Sequence, residues 1–253
     1  FIINGNVWKE GSFQTHMVED PAMAYFASKN KLYQFGGTQE SFADTYTFVF
    51  DGYKWSSIDN GSTRPAVEEA HDMIYYPPAD VLLLFDRTDN KMWQFDGTTW
   101  SVRTASGGPS KVDSYRMEYY PDLGHVVFIG QIDGSYKETW TYNGSTWTKK
   151  CSNGTPGECV QPDYSMNFGF AVTYHPENNY VYAFAHNSAV NGIKTWRWNG
   201  TIWSEITITD PEGDGKPGYL TSPVSVYSST MQRIILMGAT QFDSFDIWSF
   251  NGS

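Results

Sequence analysis

Among the side chains able to do chemistry, His71-Asp72 and Tyr115-Arg116 are the sharpest candidates. Together they offer hydrogen-bond donors, acceptors and a flat guanidinium suited to a carboxylate or to sugar hydroxyls. Neighbouring tyrosines could stack on a sugar ring. The competing reading is that these groups satisfy one another and nearby backbone. Asp20, Asn167, Phe170 and Ser222 occupy matching places in a repeat described below, while Arg87, Gln131 and His186 fall where strands give way to turns.

Other chemistries find less support. No Gly-x-Ser-x-Gly elbow is present, and the two cysteines lie close together in Cys151-Ser-Asn-Gly-Thr-Pro-Gly-Glu-Cys159. That turn-rich stretch could bring the two sulfurs together, so a Cys151–Cys159 disulfide in an oxidising compartment is expected; two free thiols are the alternative. His16, His71, His125, His175 and His186 show no paired spacing for zinc, so no metal site and no cofactor are expected. The carboxylates of Asp210-Pro211-Glu212-Gly213-Asp214-Gly215 lack the full spacing of a calcium loop and read as a solvated turn. A carboxylate pair drawn from different repeats would leave no local motif, which keeps a glycoside hydrolase or lyase as a second reading.

Composition narrows the partners. A net charge of -11, spread over the chain, would repel a phosphate backbone, so nucleic acid is not expected. No apolar run approaches the eighteen or so residues of a membrane-spanning helix. The start at Phe1 shows no basic-then-apolar leader, which leaves room for one removed on secretion.

Positioning these groups falls to strands. Aromatics make up 17% of the residues, a balance that suits pleated sheets better than helices. The phrase aromatic-x-aromatic-Asp/Asn-Gly-x-x-Trp recurs at Phe48 to Trp55, Trp93 to Trp100, Trp140 to Trp147 and Trp196 to Trp203. A fifth copy is split between Trp248 to Gly252 and Phe1 to Trp8. Each phrase reads as a β-hairpin with Asp-Gly or Asn-Gly in a type I′ turn. The same geometry accounts for most of the Asn-Gly-Ser and Asn-Gly-Thr sequons at Asn60, Asn143, Asn153, Asn199 and Asn251. The identical recurrence of Trp55, Trp100, Trp147 and Trp203 points to packing and not to a sugar platform.

Upstream of each phrase, blocks beginning at Met23, Met73, Met117, Val172 and Ser225 align without a gap. They place Tyr25, Tyr75, Tyr119, Tyr174 and Tyr227 in one column. A turn and a strongly apolar strand follow, as in Val81-Leu82-Leu83-Leu84-Phe85. Four strands per period of about 45 to 55 residues, without helix patterns, predict propeller blades. A β-sandwich is the runner-up. The expected fold is all-β: a five-bladed β-propeller of four-stranded antiparallel blades spanning 1–253 as one domain, the last blade completed by the N-terminal strand around Asn6 to Glu10.

On these features the chain resembles the kelch family over essentially its whole length. The kelch diglycine survives only as Gly36-Gly37; the other repeats carry Asp86-Arg87, Gly130-Gln131, Ala185-His186 and Gly238-Ala239 there. Secreted bacterial kelch-like proteins are the most similar group. The resemblance implies that partners bind on loops joining strands two and three and on those leading from strand four into the next blade. It therefore points to Thr38 to Asp44, Arg87 to Asn90, Gln131 to Glu138, His186 to Ile193 and Thr240 to Phe245. The function expected is that of a secreted, monomeric, non-enzymatic module binding glycan or protein. An architectural role in a larger surface protein is the third reading.

Overall fold

The computed structural model describes residues 2–4, 7–9, 21–39, 42–43, 46–58, 61, 63–66, 72–103, 105–134, 136–153, 159–163, 169–187, 192–208, 215, 217–240 and 244–252. Its elements are strands, joined in three places by a single 3-10 turn. Two compact units emerge: Phe1–Lys111 with Gly144–Thr146, and Val112–Asn143 with Trp147–Ser253.

The first unit holds two four-stranded antiparallel meanders. Sheet one runs through Ala22–Phe26, Lys31–Phe35, Thr47–Phe50 and Trp55–Ile58; sheet two through Met73–Tyr76, Val81–Asp86, Lys91–Phe95 and Trp100–Arg103. Between them lies a core of Ala22, Ala24, Phe26, Tyr33 and Phe35 from one side and Met73, Leu82, Leu84, Trp93, Phe95 and Trp100 from the other. The indole N–H of Trp100 crosses this interface to Thr47 Oγ1 at 2.9 Å.

The second unit holds three sheets. Sheet three comprises Val112–Tyr120, His125–Ile132, Tyr136–Tyr142 and Trp147–Ser152; sheet four Phe170–His175, Tyr180–Asn187, Gly192–Trp198 and Trp203–Ile206; sheet five Thr221–Ser228, Arg233–Ala239 and Phe245–Phe250. Strand alternation sends successive residues of sheet four into different cores. Val181, Ala183 and Ala185 pack with sheet three, whereas Tyr182 and Phe184 pack with sheet five. Trp203 repeats the device of Trp100, its N–H donating to Thr139 Oγ1 at 2.9 Å.

One expectation needs correction. Sheet five has three described strands where four were expected, and Val7–Lys9 pairs with Ile2–Asn4 in a two-stranded hairpin. Pairing with the adjacent segment closes a very short loop and costs little chain entropy.

The turns also differ from expectation. Register pairs Phe50 with Trp55, Phe95 with Trp100, Tyr142 with Trp147 and Trp198 with Trp203, leaving four-residue loops. Positive φ occurs at the glycine and not at the preceding Asp or Asn, so these are not type I′ turns. The Asp or Asn side chain builds the loop instead. Asp51 Oδ1 accepts from the amides of Tyr53 and Lys54, Asp96 Oδ1 from Thr98 and Thr99, and Asn199 Oδ1 from Thr201 and Ile202.

The tyrosine column has a comparable local role. Tyr25, Tyr75 and Tyr174 donate their hydroxyls to Asn30, Asp80 and Asn179, the left-handed residues of the turns that follow. Those turn residues then reach the neighbouring sheet. Asp80 accepts from Ser28 Oγ, and Asn179 donates to Asp122.

Gly200 has φ +95, and a Cβ there would lie 3.0 Å from Tyr120 Cε1 and 3.2 Å from Leu123 Cδ1, on sheet three. Gly52 has φ +96 but open space around it. We predict that Gly52→Ala costs about 1 kcal/mol from backbone strain and that Gly200→Ala costs about 1 to 3 kcal/mol more. Urea unfolding of both variants checks this, and equal losses would contradict the packing role.

Burial opposes ionisation of Asp96, but hydrogen bonds from the Thr98 hydroxyl, the Thr99 and Thr98 amides and the Thr99 hydroxyl outweigh it and hold the carboxyl at about 2. With an ordinary carboxylate value of about 3.9 in the unfolded chain, this stabilisation is complete above pH ~4 and lost as pH falls towards ~2. Asp96→Asn preserves the turn, as Asn199 does, and should reduce the fall in melting temperature between pH 5 and 2.

Candidate functional site

The linker from sheet three to sheet four begins where Trp147–Ser152 ends. A register shift between Thr139 and Trp140 sets Cys151 opposite Thr139. Cys151 forms the expected disulfide with Cys159, at a Cα–Cα distance of 5.8 Å. Asn153 extends the pairing, its N–H donating to Lys137 O at 3.1 Å while its Oδ1 accepts from Lys137 N at 2.7 Å.

Beyond the disulfide the linker is tied into the cleft between the two sheets. The Thr139 hydroxyl, which accepts from Trp203, donates to Gln161 Oε1 at 2.8 Å. Both Thr139 and Gln161 are buried, so the chain Trp203 to Thr139 to Gln161 is a satisfied polar layer in a dry interface. Two residues on, Asp163 binds both sheets at once. It accepts from Lys137 Nζ of sheet three at 2.6 Å and from Asn187 Nδ2 of sheet four at 2.7 Å.

Electrostatics favour the charged form of this carboxylate. The Lys137 hydrogen bond draws the Asp163 acid below its ordinary range against an opposing burial effect, aided by the charge of Lys137, the Asn187 amide and the charge of Lys194. The Lys137 side chain is 14% exposed and that of Asp163 63%, so a fixed anion faces water above a mostly covered ammonium. Lys194 continues the polar edge and pairs with Glu205 at 3.1 Å. Such a site can accept from and donate to several hydroxyls of one ligand without reorganising.

The residues expected from sequence are distributed otherwise. His71, Asp20 and Asn167 lie outside the described residues, as do the carboxylates of 210–214. Tyr115 is fully buried and stacks on Phe128 with ring centroids 5.1 Å apart; Phe170 is buried in the core between sheets three and four. Gln131 is buried and donates Nε2–H to Gly134 O. His186 is buried edge-on to Tyr219, and burial lowers its pKa, which favours the neutral ring. Strand alternation, invisible at the ends of loops, turned these four inward. In the first unit Asp72 accepts from the Met73 amide, and Arg87 follows buried Asp86, whose carboxylate holds the Ala66 and Thr88 amides. Arg116 remains partly exposed in the second unit.

Lys137, Asp163 and Asn187 were not singled out by sequence. Lys137 and Asn187 do lie within the loop stretches Gln131 to Glu138 and His186 to Ile193. The signal that could have joined them is the cysteine pair, which marks the linker carrying Asp163.

The recurrent tryptophans are packing residues, with Trp100, Trp147 and Trp203 all buried. Asn199 spends its side-chain oxygen on turn geometry, and Asn153 spends its own on the Lys137 amide of the neighbouring strand.

No family model matches the chain, and no curated protein matches it. Solved structures do. The fucose-specific lectin from Aleuria aurantia is similar with a TM-score of 0.58 and 11% identity, covering 90% of this chain and 73% of that one. The SapL1 lectin in complex with alpha methyl fucoside matches with a TM-score of 0.58 and 14% identity, covering 92% and 76%. At these identities the likeness establishes fold alone: this is an all-β, five-bladed β-propeller.

The disulfide closes a loop with a sequence separation of 8. The double variant Cys151→Ser/Cys159→Ser should lose about 2 to 3 kcal/mol on the chain-entropy estimate. Amide exchange at Gln161 and Asp163 should accelerate, while the strand amides of sheet four stay protected. Unchanged exchange at those two positions would show that the linker holds without its staple.

Proposed function

We propose that this protein is a non-enzymatic glycan-recognition module that binds sugar hydroxyls along the edge formed by Lys137, Asp163 and Asn187. The observation that carries this reading is the carboxylate of Asp163, fixed by one group from each of two sheets yet mostly open to solvent. Its free lone pairs accept from neighbouring hydroxyls at little entropic cost, because the side chain is already ordered. The kelch resemblance supports the same edge. Lys137 and Asn187 stand at the ends of loops joining strands two and three, and Asp163 belongs to a linker entering the next blade. The fold shared with two lectins, one titled as fucose-specific and one bound to alpha methyl fucoside, favours a sugar over a protein ligand. The first unit offers Asp72 and Arg87 as further candidates at comparable positions. A disulfide fits secretion into an oxidising environment.

Titration calorimetry with alpha methyl fucoside and a panel of neutral oligosaccharides tests this. Asp163→Asn should weaken the best ligand at least about tenfold, a difference of about 1.4 kcal/mol, with an unchanged circular dichroism spectrum. Binding indifferent to this change would refute the site. Release of reducing ends from any of the oligosaccharides would refute the non-enzymatic reading.

A further inference from the structure

The strand Tyr180–Asn187 ends on two residues that point to opposite faces of sheet four. Asn187 turns toward sheet three, where its Nδ2 holds Asp163 at 2.7 Å. His186 turns the other way, to the side on which Tyr182, Phe184 and Ile193 pack with sheet five. Its ring is 1% exposed and meets Tyr219, in the segment leading into sheet five, edge-on with centroids 4.9 Å apart. The first strand of sheet four pairs as far as Ala185, so among the described residues His186 and Asn187 keep ladder partners on one side alone, Ile193 and Gly192. The strand end that carries Asn187 is thus held in place largely by what its neighbour buries.

Packing does not require a histidine here. Gly37, Arg87, Gln131 and Ala239 stand at the equivalent places of the other four sheets. Burial lowers the pKa of the His186 ring and keeps it neutral. Among the described residues, the titratable or charged groups on that side of the cleft are Tyr219, Asp246 of sheet five, two residues ahead of the core residue Trp248, and Tyr182 and Arg197 of sheet four itself, with His175, Glu177 and Tyr227 at its far end. None of them offsets the effect of burial.

We infer that His186 is an acid-sensitive latch on the Asp163 edge: once charged, its ring leaves the cleft, the strand end carrying Asn187 follows, and bound glycan is released. This inference rests on the glycan-binding reading and adds regulation of the same site. Burial fixes the direction. The folded chain accommodates the neutral ring, so the latch is closed above the ordinary histidine value of about 6.5 and opens as pH falls below it. Asp163 stays ionised through that window, because Lys137 holds its acid below the ordinary carboxylate range, and so does not supply the pH dependence.

The test measures affinity for alpha methyl fucoside and the neutral oligosaccharide panel between pH 7.5 and pH 5, with a circular dichroism spectrum at each pH. The tightest ligand should bind about tenfold more weakly at pH 5, as a shift of one pKa unit on binding would give, while the spectrum stays native. His186→Gln, which copies Gln131, and His186→Ala, which copies Ala239, should bind as wild type does at pH 7.5 and lose the dependence. His125→Gln, at another ring that burial keeps neutral, should retain it. Followed by NMR, the titration of His186 should move to lower pH when ligand saturates the protein, because the coupling is reciprocal. A dependence that survives both His186 variants or vanishes in His125→Gln, a His186 titration unmoved by ligand, or a native spectrum lost by pH 5 would each overturn the inference. Binding that ignores pH sinks the latch alone; no glycan binding at pH 7.5 sinks the functional reading beneath it.

Discussion

A β-sheet that is apolar on both faces is stable in water only when something covers each face. Val81–Asp86 is buried along its whole length, and Val181 to Phe184 divide their side chains between two cores. Such sheets are not independent folding units. Their stability is that of the interfaces, which is why so much of the recurring sequence serves contact between neighbours and not the sheet itself.

The interfaces are more than hydrophobic. Where two sheets meet, an indole N–H would be desolvated, and a threonine of the preceding sheet receives it in two cases, Trp100 with Thr47 and Trp203 with Thr139. Left-handed turn residues, held by the tyrosine column, place polar groups where the preceding sheet can use them. These contacts set orientation, because a hydrogen bond tolerates less displacement than a packed methyl group. One of them is borrowed for the candidate site: Thr139 takes the Trp203 proton and passes its own to Gln161, anchoring the linker that presents Asp163.

The site therefore depends on a departure from the repeat. The segment between sheets three and four carries the cysteine pair, and the disulfide shortens its free length until Gln161 and Asp163 can meet the cleft. Variation on a repeated scaffold lets one edge acquire chemistry of its own. The propeller fold supplies the platform, and the candidate chemistry is carried by residues of the linker and the loop ends.

Periodicity in the sequence determined the blades, because a side chain that must pack against the next repeat recurs in every repeat. Trp100, Trp147 and Trp203 are legible for that reason, and so is the Tyr25 to Tyr227 column. The disulfide was legible too, since the seven turn-forming residues between the cysteines let the chain double back and bring the two sulfurs together. Local composition misjudged the hairpins: Asp-Gly resembles a two-residue turn, and only the register of Phe95 against Trp100 shows the side chain of Asp96 closing a four-residue loop. Which polar residues face solvent was decided by tertiary structure. Tyr115 and Gln131 look as available as Lys137 when read along the chain, but burial depends on which sheet lies across from each strand, and that follows from contacts among residues far apart in sequence. The meeting of Lys137, Asp163 and Asn187 is of the same kind, since no short-range pattern connects three residues from two sheets and the linker between them.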